Sequence, residues 1–130
     1  MKPNVIKFAI PTLLALVTNI ALAGANPQAH IESYKQQGIT QIDIDKGRQL
    51  FNSTVGDRSC TTCHGTDLSQ NGKHKKTGKV IKPMSMSTNP ERYQDSKKIE
   101  KWFLRNCKWT FNRTCTTQEK ADILSWLATQ

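Results

Sequence analysis

The chain has 130 residues, 19 of them Lys or Arg and 10 Asp or Glu, with a formal net charge of +9 at pH 7. That length allows one small domain, whose core is limited unless a cofactor or a covalent cross-link adds to it. The positive charge favours an acidic partner or an anionic surface.

The first element in chain order predicts a secretory signal peptide. Lys2 and Lys7 form a basic start, residues 8–22 are mostly apolar, and Ala21-Leu22-Ala23 is a small-x-small cleavage site. The apolar run is too short, and too often interrupted by polar residues, for a membrane span of about 20 residues. We expect a signal peptide over residues 1–23, cleaved after Ala23, and no stable membrane span afterwards.

Two helices are predicted next. Polar residues with His30, Ile31 and Tyr34 at helical spacing indicate a short helix that ends at Gly38, and residues 24–44 form this helix and a linker. A main domain over residues 45–130 would begin with a helix capped by Asp43 or Asp45 and running to about residue 55. A glycine inside it, residue 47, predicts close approach of another helix.

The stretch Cys60-Thr61-Thr62-Cys63-His64 predicts one covalently attached haem c. The thiols of Cys60 and Cys63 would form thioethers with the porphyrin vinyl groups, and His64 would bind the iron as the proximal ligand. A zinc site would need two further ligands at similar spacing, and a redox dithiol would follow an apolar strand. Neither context is present, and haem attachment together with an export signal indicates the bacterial periplasm.

A long basic segment follows His64 and continues to Lys82. Five lysines and a histidine fall within it, so it is predicted to be a solvated loop. Because the segment leaves the attachment motif directly, it could also be a docking patch for an acidic electron-transfer partner beside the haem. An exported haem protein rarely meets nucleic acid, so nucleic acid is not the expected partner.

The rest of the chain predicts helices only. Asn89 and Pro90 begin a helical turn, Asp95 caps a helix over about residues 96–107, and Thr116 with Glu119 forms a capping box for the last helix. Residues 107–115 are predicted to be irregular. Strand signals are weak throughout, which indicates an all-α, cytochrome c-like single domain around the haem.

The ligand on the other face of the iron decides the function. Met84 and Met86 lie roughly where a class I cytochrome keeps its methionine, although each is more readily explained by packing. His30 and His74 are two further candidate ligands, but each lies in a polar stretch that is expected to be exposed. Asn106 continues the apolar stripe of its helix, so a buried amide there would need a partner, and iron or a local carbonyl could supply it.

The chain resembles the small monohaem family typified by the sphaeroides haem protein, from about Asp45 onward. The residues that carry the resemblance are Cys60-Thr61-Thr62-Cys63-His64-Gly65-Thr66-Asp67-Leu68, Asn89-Pro90-Glu91-Arg92-Tyr93, Lys101-Trp102-Phe103-Leu104-Arg105-Asn106-Cys107, Cys115 and Glu119-Lys120-Ala121-Asp122. An Arg-Asn-Cys run with a second cysteine eight residues later is far more specific than the haem motif.

The resemblance implies a class I-like cytochrome fold and a high-spin haem with histidine on one face and an asparagine, here Asn106, on the other. It implies that the asparagine leaves on reduction, so that oxygen, nitric oxide or a similar diatomic ligand binds. It also implies a disulfide between Cys107 and Cys115, and reduction by a dihaem cytochrome c, often alongside a membrane cytochrome b.

Three hypotheses follow. The first is a periplasmic cytochrome that accepts electrons and then binds or reduces a small ligand on the side that Asn106 leaves. The second is a plain electron-transfer cytochrome with His64 and either Met84 or Met86 on the iron. The third is a module without haem that uses all four cysteines for a metal or for redox chemistry.

Overall fold

The computed structural model describes residue 1 and residues 27–130. The predicted signal peptide and its cleavage site lie outside the described residues. The ordered elements are α1 (Pro27–Gln36), α2 (Ile44–Asn52), α3 (Thr61–His64), β1 (Gly72–Lys73), β2 (Val80–Ile81), a 3-10 turn (Pro90–Tyr93), α4 (Ser96–Phe111) and α5 (Thr117–Leu127). The all-α prediction is confirmed, with one short hairpin added.

Helix α2 and helix α5 form the main helix pair of the domain. Asp43 caps α2 by accepting from the amide of Lys46 at 2.8 Å. A Cβ atom added at Gly47 would lie 2.1 Å from the carbonyl oxygen of Asp122 and 2.9 Å from the amide of Ile123. Only glycine therefore allows this crossing, as the sequence predicted. Helix α2 ends at Asn52, about three residues earlier than expected, because Val55 pairs with Arg58 across a tight turn.

The core lies between α1, α2 and α5. Helix α1 contributes Ile31 and Tyr34, both almost fully buried. Helix α5 is buried on nearly every side, and its capping box is present: the Thr116 hydroxyl accepts from the amide of Glu119, whose carboxylate accepts from the amide of Thr116. The last two predicted helices, α4 and α5, are both present, and α5 is the central helix of the domain.

The basic segment after His64 folds into an antiparallel hairpin instead of a plain loop. Gly72 pairs with Ile81 and Lys73 with Val80. The turn closes because Gly78 takes a positive φ of 67° and donates to the carbonyl of His74 at 2.9 Å. Pairs this short give little hydrophobic alternation, so the sequence offered no strand signal.

Helix α4 is one turn longer than predicted. Asp95 caps it, as expected, by accepting from the amide of Lys98 at 3.1 Å. The helix continues past Cys107 to Phe111 and ends where Asn112 adopts a left-handed conformation with φ of 56°, which asparagine tolerates. Only residues 112–115 of the predicted irregular segment are non-helical.

Within residues 27–130, no helix is long and apolar enough to cross a membrane.

Candidate haem-binding site

The attachment motif forms a single helical turn. Cys60 is the N-cap of α3 and Cys63 follows three residues later, so both side chains lie on one face. Both thiols are free and half-buried. Buried Ser59 stabilises the turn through two hydrogen bonds. Its amide donates to the Thr62 hydroxyl at 2.9 Å, and its hydroxyl accepts from the Thr61 hydroxyl at 2.9 Å.

Burial favours the neutral forms of Cys60 and His64. Burial raises the pKa of Cys60 to about 11, so its thiol stays protonated at neutral pH, unlike the nucleophilic cysteine of a redox dithiol. Burial, with a smaller effect of the Arg92 guanidinium, lowers the pKa of His64 to about 4. The imidazole is therefore neutral, the form that binds a metal.

The imidazole of His64 has no protein partner in the described structure. Its Nδ1 atom is fully buried without a hydrogen bond. The ring lies 6.1 Å from the ring of Phe51, which in turn packs at 5.1 Å against Trp126. Two free thiols on one face with an adjacent neutral imidazole are the residues that a covalently attached haem requires, so they fit haem c.

The basic hairpin, residues 72–81, packs directly on the attachment turn. A Cβ at Gly72 would lie 2.2 Å from the carbonyl oxygen of Cys63 and 3.0 Å from the Cα of His64. The side chains of residues 73–80 are exposed, including Val80 at 70%, whereas Ile81 is half-buried. Glycine at position 72 therefore brings an exposed basic surface to the edge of the haem-binding segment.

The C-terminal half of α4 packs against the other end of the attachment segment. Arg58 donates to the carbonyl of Trp109 at 2.8 Å and to the side-chain oxygen of Asn112 at 3.2 Å. The fully buried hydroxyl of Thr110 makes no hydrogen bond of ordinary geometry, but it lies close enough to the Cys60 thiol to oppose the rise in its pKa. Helix α4 thus reaches an attachment cysteine through Thr110.

Asn106 lies on the same face of α4 as Thr110. Residues four apart on a helix have Cβ atoms about 6 Å apart, and Trp102 continues this face one turn earlier. The expectation of a buried stripe is wrong at two positions, since Asn106 is exposed and Trp102 is 49% exposed, although Ile99 is buried. The face that carries the amide is an open aromatic surface and not part of the packed core.

A disulfide follows Asn106 directly. Cys107 and Cys115 are bonded, with their Cα atoms 5.6 Å apart, and both are buried. The bond ties the last turns of α4 to the residue before the α5 cap. Because Cys107 and Cys115 bond to each other, they are not available to form a four-cysteine site with Cys60 and Cys63. Among residues 27–130, no group of three or more His, Cys, Asp or Glu is placed to hold a metal ion. The four-cysteine hypothesis has no site here.

The methionines lie in the segment that packs beside the residues following His64. The amide of Met84 donates to the carbonyl of Leu68 at 2.9 Å, and its carbonyl accepts from the buried Tyr93 hydroxyl. Both Met84 and Met86 are half-buried against the core. Because Leu68 is only four residues after His64, this segment is anchored on the histidine side of the attachment turn.

The two other histidines have different partners. His30 Nε2 bonds to the Tyr34 hydroxyl at 3.0 Å and to Glu100 at 3.1 Å, between α1 and α4. His74 is exposed in the hairpin turn, where its Nδ1 accepts from the amide of Thr77 at 3.2 Å. Neither lies against the attachment turn.

Sequence reasoning missed three contacts that build the site. Gly72 and Thr110 reach the attachment segment from later in the chain, and Arg58, two residues before Cys60, joins that segment to Trp109 of α4. A fourth residue, Arg92, was quoted only as part of the resemblance, yet its guanidinium influences His64.

Comparisons with known proteins agree with this site. Residues 37–127 match the family described as a domain of unknown function, DUF1924. The chain is 44% identical to cytochrome c-type protein SHP of Cereibacter sphaeroides, over 91% of this chain and 95% of that protein. It is 31% identical to cytochrome c'' of Methylophilus methylotrophus, over 87% of this chain and 74% of that protein.

Solved structures are similar as well. The structure of oxidised SHP, an oxygen-binding cytochrome c, superposes with a TM-score of 0.75 at 43% identity, covering 82% of this chain and 98% of that one. Oxidised cytochrome c'' from Methylophilus methylotrophus superposes with a TM-score of 0.70 at 25% identity, covering 81% and 94%.

Proposed function

The chain belongs to the DUF1924 family and to the SHP-like monohaem c-type cytochromes, and we propose that it is a periplasmic electron acceptor whose reduced form binds a small ligand such as oxygen or nitric oxide. Its cofactor is one covalent haem c, which supplies an iron that changes oxidation state and accepts axial ligands. We assign Cys60 and Cys63 to the thioether bonds, His64 to the proximal position and Asn106 to the opposite one.

The observation that carries this proposal is the placement of Asn106. Its helix reaches the attachment turn through Thr110, which is buried beside the Cys60 thiol and lies one helical turn from Asn106. The Arg58 bond to Trp109 holds the same end of α4 against the same turn. An amide one helical turn from Thr110, on the same face of α4, supports the assignment of Asn106 to the sixth position.

The chemistry of an amide favours release on reduction. A side-chain amide oxygen is a hard, neutral and weak ligand, so it suits ferric iron better than the softer ferrous iron. The disulfide from Cys107 fixes the backbone directly after Asn106, so the side chain can move without the helix end moving. Asn106 would therefore let go when the iron is reduced and return when it is oxidised.

The contacts of Met84 argue against the alternative His/Met cytochrome. A sixth ligand must approach from the face opposite His64. The backbone of Met84 is instead fixed by Leu68, four residues after His64, and by Tyr93, and its side chain packs against the core. Met86 follows in the same segment and packs on the core. This arrangement favours packing over ligation for both methionines, so the plain electron carrier remains the second candidate.

Electron entry is best assigned to the basic hairpin. Gly72 brings it against Cys63 and His64, and its lysines are exposed. Lys75 is paired with Asp57 at 2.7 Å, whereas the other hairpin lysines have no acidic partner among the described residues. Unpaired positive charge at the edge of a redox centre attracts an acidic donor. The family resemblance suggests a dihaem cytochrome c, with a membrane cytochrome b, in that role.

Substitution of the candidate ligands tests the assignment. We expect Asn106→Ala to change the ferric absorption spectrum and to leave the ferrous protein open to carbon monoxide, a stand-in for the natural ligand. Met84→Ala and Met86→Ala are the matched controls and should leave the ferric spectrum unchanged. An unchanged spectrum in Asn106→Ala would contradict the proposal, and a methionine-to-iron charge-transfer band that one Met→Ala variant removes would establish the alternative.

Charged redox probes test the hairpin. Oxidation of the ferrous protein by ferricyanide, an anion, should slow by about tenfold at low salt in Lys76→Glu/Lys79→Glu. Oxidation by tris(phenanthroline)cobalt(III), a cation, should accelerate. Lys46→Glu/Lys97→Glu carries the same change of charge on α2 and α4 and should affect both rates far less. Equal changes of both oxidation rates in the two double variants would show that the rates depend on net charge alone, and would contradict the assignment of electron entry to the hairpin.

A further inference from the structure

Arg92 has an unusual environment for an arginine. It lies in the 3-10 turn and is half-buried. Its Nε donates to the carbonyl of Pro83 at 3.0 Å and its Nη2 to the carbonyl of Lys82 at 2.6 Å. These two bonds fix the plane of the guanidinium. The Nη1 group and the second hydrogen of Nη2 have no acceptor among residues 27–130.

No carboxylate of the described residues balances this charge. The ion pairs among residues 27–130 involve other cations, and the acidic neighbour Glu91 is exposed and makes no pair with Arg92. Burial lowers the pKa of Arg92, which shows that its charge is poorly solvated there. A partly desolvated cation is costly unless an anion joins it. The structure therefore leaves a fixed, half-buried cation with free donors.

The free donors belong to the neighbourhood of the haem. The Arg92 guanidinium lies within electrostatic range of the His64 imidazole. The two carbonyls that hold it belong to the residues directly before Met84, whose amide donates to the carbonyl of Leu68, four residues after His64. The next residue, Tyr93, is buried and bonded to the Met84 carbonyl. A haem held by His64 would bring its two propionate carboxylates into this neighbourhood.

We infer that Arg92 binds one propionate carboxylate of the haem. A planar guanidinium matches a carboxylate with parallel hydrogen bonds, and here the carbonyls of Lys82 and Pro83 orient it before the cofactor arrives. The same residue would then close the 82–93 segment over the cofactor and neutralise one propionate. This role depends on the haem c cofactor and is independent of the ligand-binding proposal, which the Asn106 variants test.

The test follows the protonation of the propionates in the ferric holoprotein, through the pH dependence of the haem methyl NMR signals. In the natural protein, one of the two propionates should stay ionised down to about pH 4, because an adjacent arginine lowers a carboxyl pKa by one unit or more. Two propionates that both titrate in the ordinary carboxyl range, at a pKa of about 4.3 or above, would overturn the inference.

Arg92→Gln should raise the proton affinity of that propionate about tenfold or more, and Arg92→Lys should raise it less. Arg48→Gln is the matched control, since it removes one exposed arginine paired with Asp45 on α2, and it should leave the titration unchanged. If Arg92→Gln lowers the stability but leaves the propionate titration unchanged, Arg92 only supports the carbonyls of Lys82 and Pro83 and the inference is wrong.

Discussion

Replacing Gly47 by alanine should destabilise the protein through the α2–α5 crossing. The new Cβ would lie 2.1 Å from the Asp122 carbonyl oxygen, where at least 3.4 Å is ordinary contact, so the helices must separate by about 1.3 Å. The clash is with backbone, so no rotamer change can relieve it. Overpacking of this kind costs up to about 3 kcal/mol, and alanine returns about 1 kcal/mol of helix propensity. The expected net loss is about 2 kcal/mol.

Guanidinium denaturation of the ferric holoprotein, followed by far-ultraviolet circular dichroism, measures this loss. The midpoint should fall in Gly47→Ala while the slope stays the same. Gln49→Ala, at an exposed position of the same helix, controls for propensity and should stay within about 0.5 kcal/mol of the natural protein. A Gly47→Ala variant as stable as the natural protein would refute the close crossing.

Three further predictions concern stability. Removing the disulfide with Cys107→Ser/Cys115→Ser should cost about 2.5 kcal/mol in chemical denaturation, because the bond closes a short loop, and no loss would contradict this. Burial raises the pKa of Glu100, but hydrogen bonds from Lys120 and Tyr34 outweigh this effect and lower the pKa below 4.5. The ionised Glu100 therefore contributes to stability above pH 4.5, and this contribution is lost as the pH falls through the lowered pKa. The stability difference between natural protein and Glu100→Gln should shrink below about pH 4.5 in thermal melts, and a constant difference would argue otherwise. Thr116→Ala should cost about 1 kcal/mol and Thr116→Ser much less, whereas equal losses would mean that the hydroxyl cap is unimportant.

Features that depend on contiguous residues could be predicted from the sequence. The attachment cysteines and His64 need only their spacing. The capping box of α5 likewise depends on residues three apart, and Gly47 signalled a close helix crossing because glycine is unfavourable inside a helix. For the capping box and for Gly47, the local rule and the tertiary structure agree.

Features that depend on contacts between residues far apart in the chain could not be predicted from the sequence. The hairpin exists because Gly72 lets one chain segment pack on the carbonyl of Cys63, and that contact leaves no local pattern. Helix α4 passes its predicted end because Asn112, and not the residue after Cys107, supplies the left-handed cap. The helical stripe through Trp102 and Asn106 was visible, but periodicity identifies a face and not what covers it, and the side chains of the described residues leave Asn106 exposed.

The central claim is that the face opposite His64 is weakly held by Asn106 and opens on reduction. Absorption spectra of the ferric, the ferrous and the ferrous protein with carbon monoxide test it most directly. We predict a high-spin ferric spectrum and a ferrous form that binds carbon monoxide rapidly. A low-spin ferrous spectrum that carbon monoxide does not change would contradict the account.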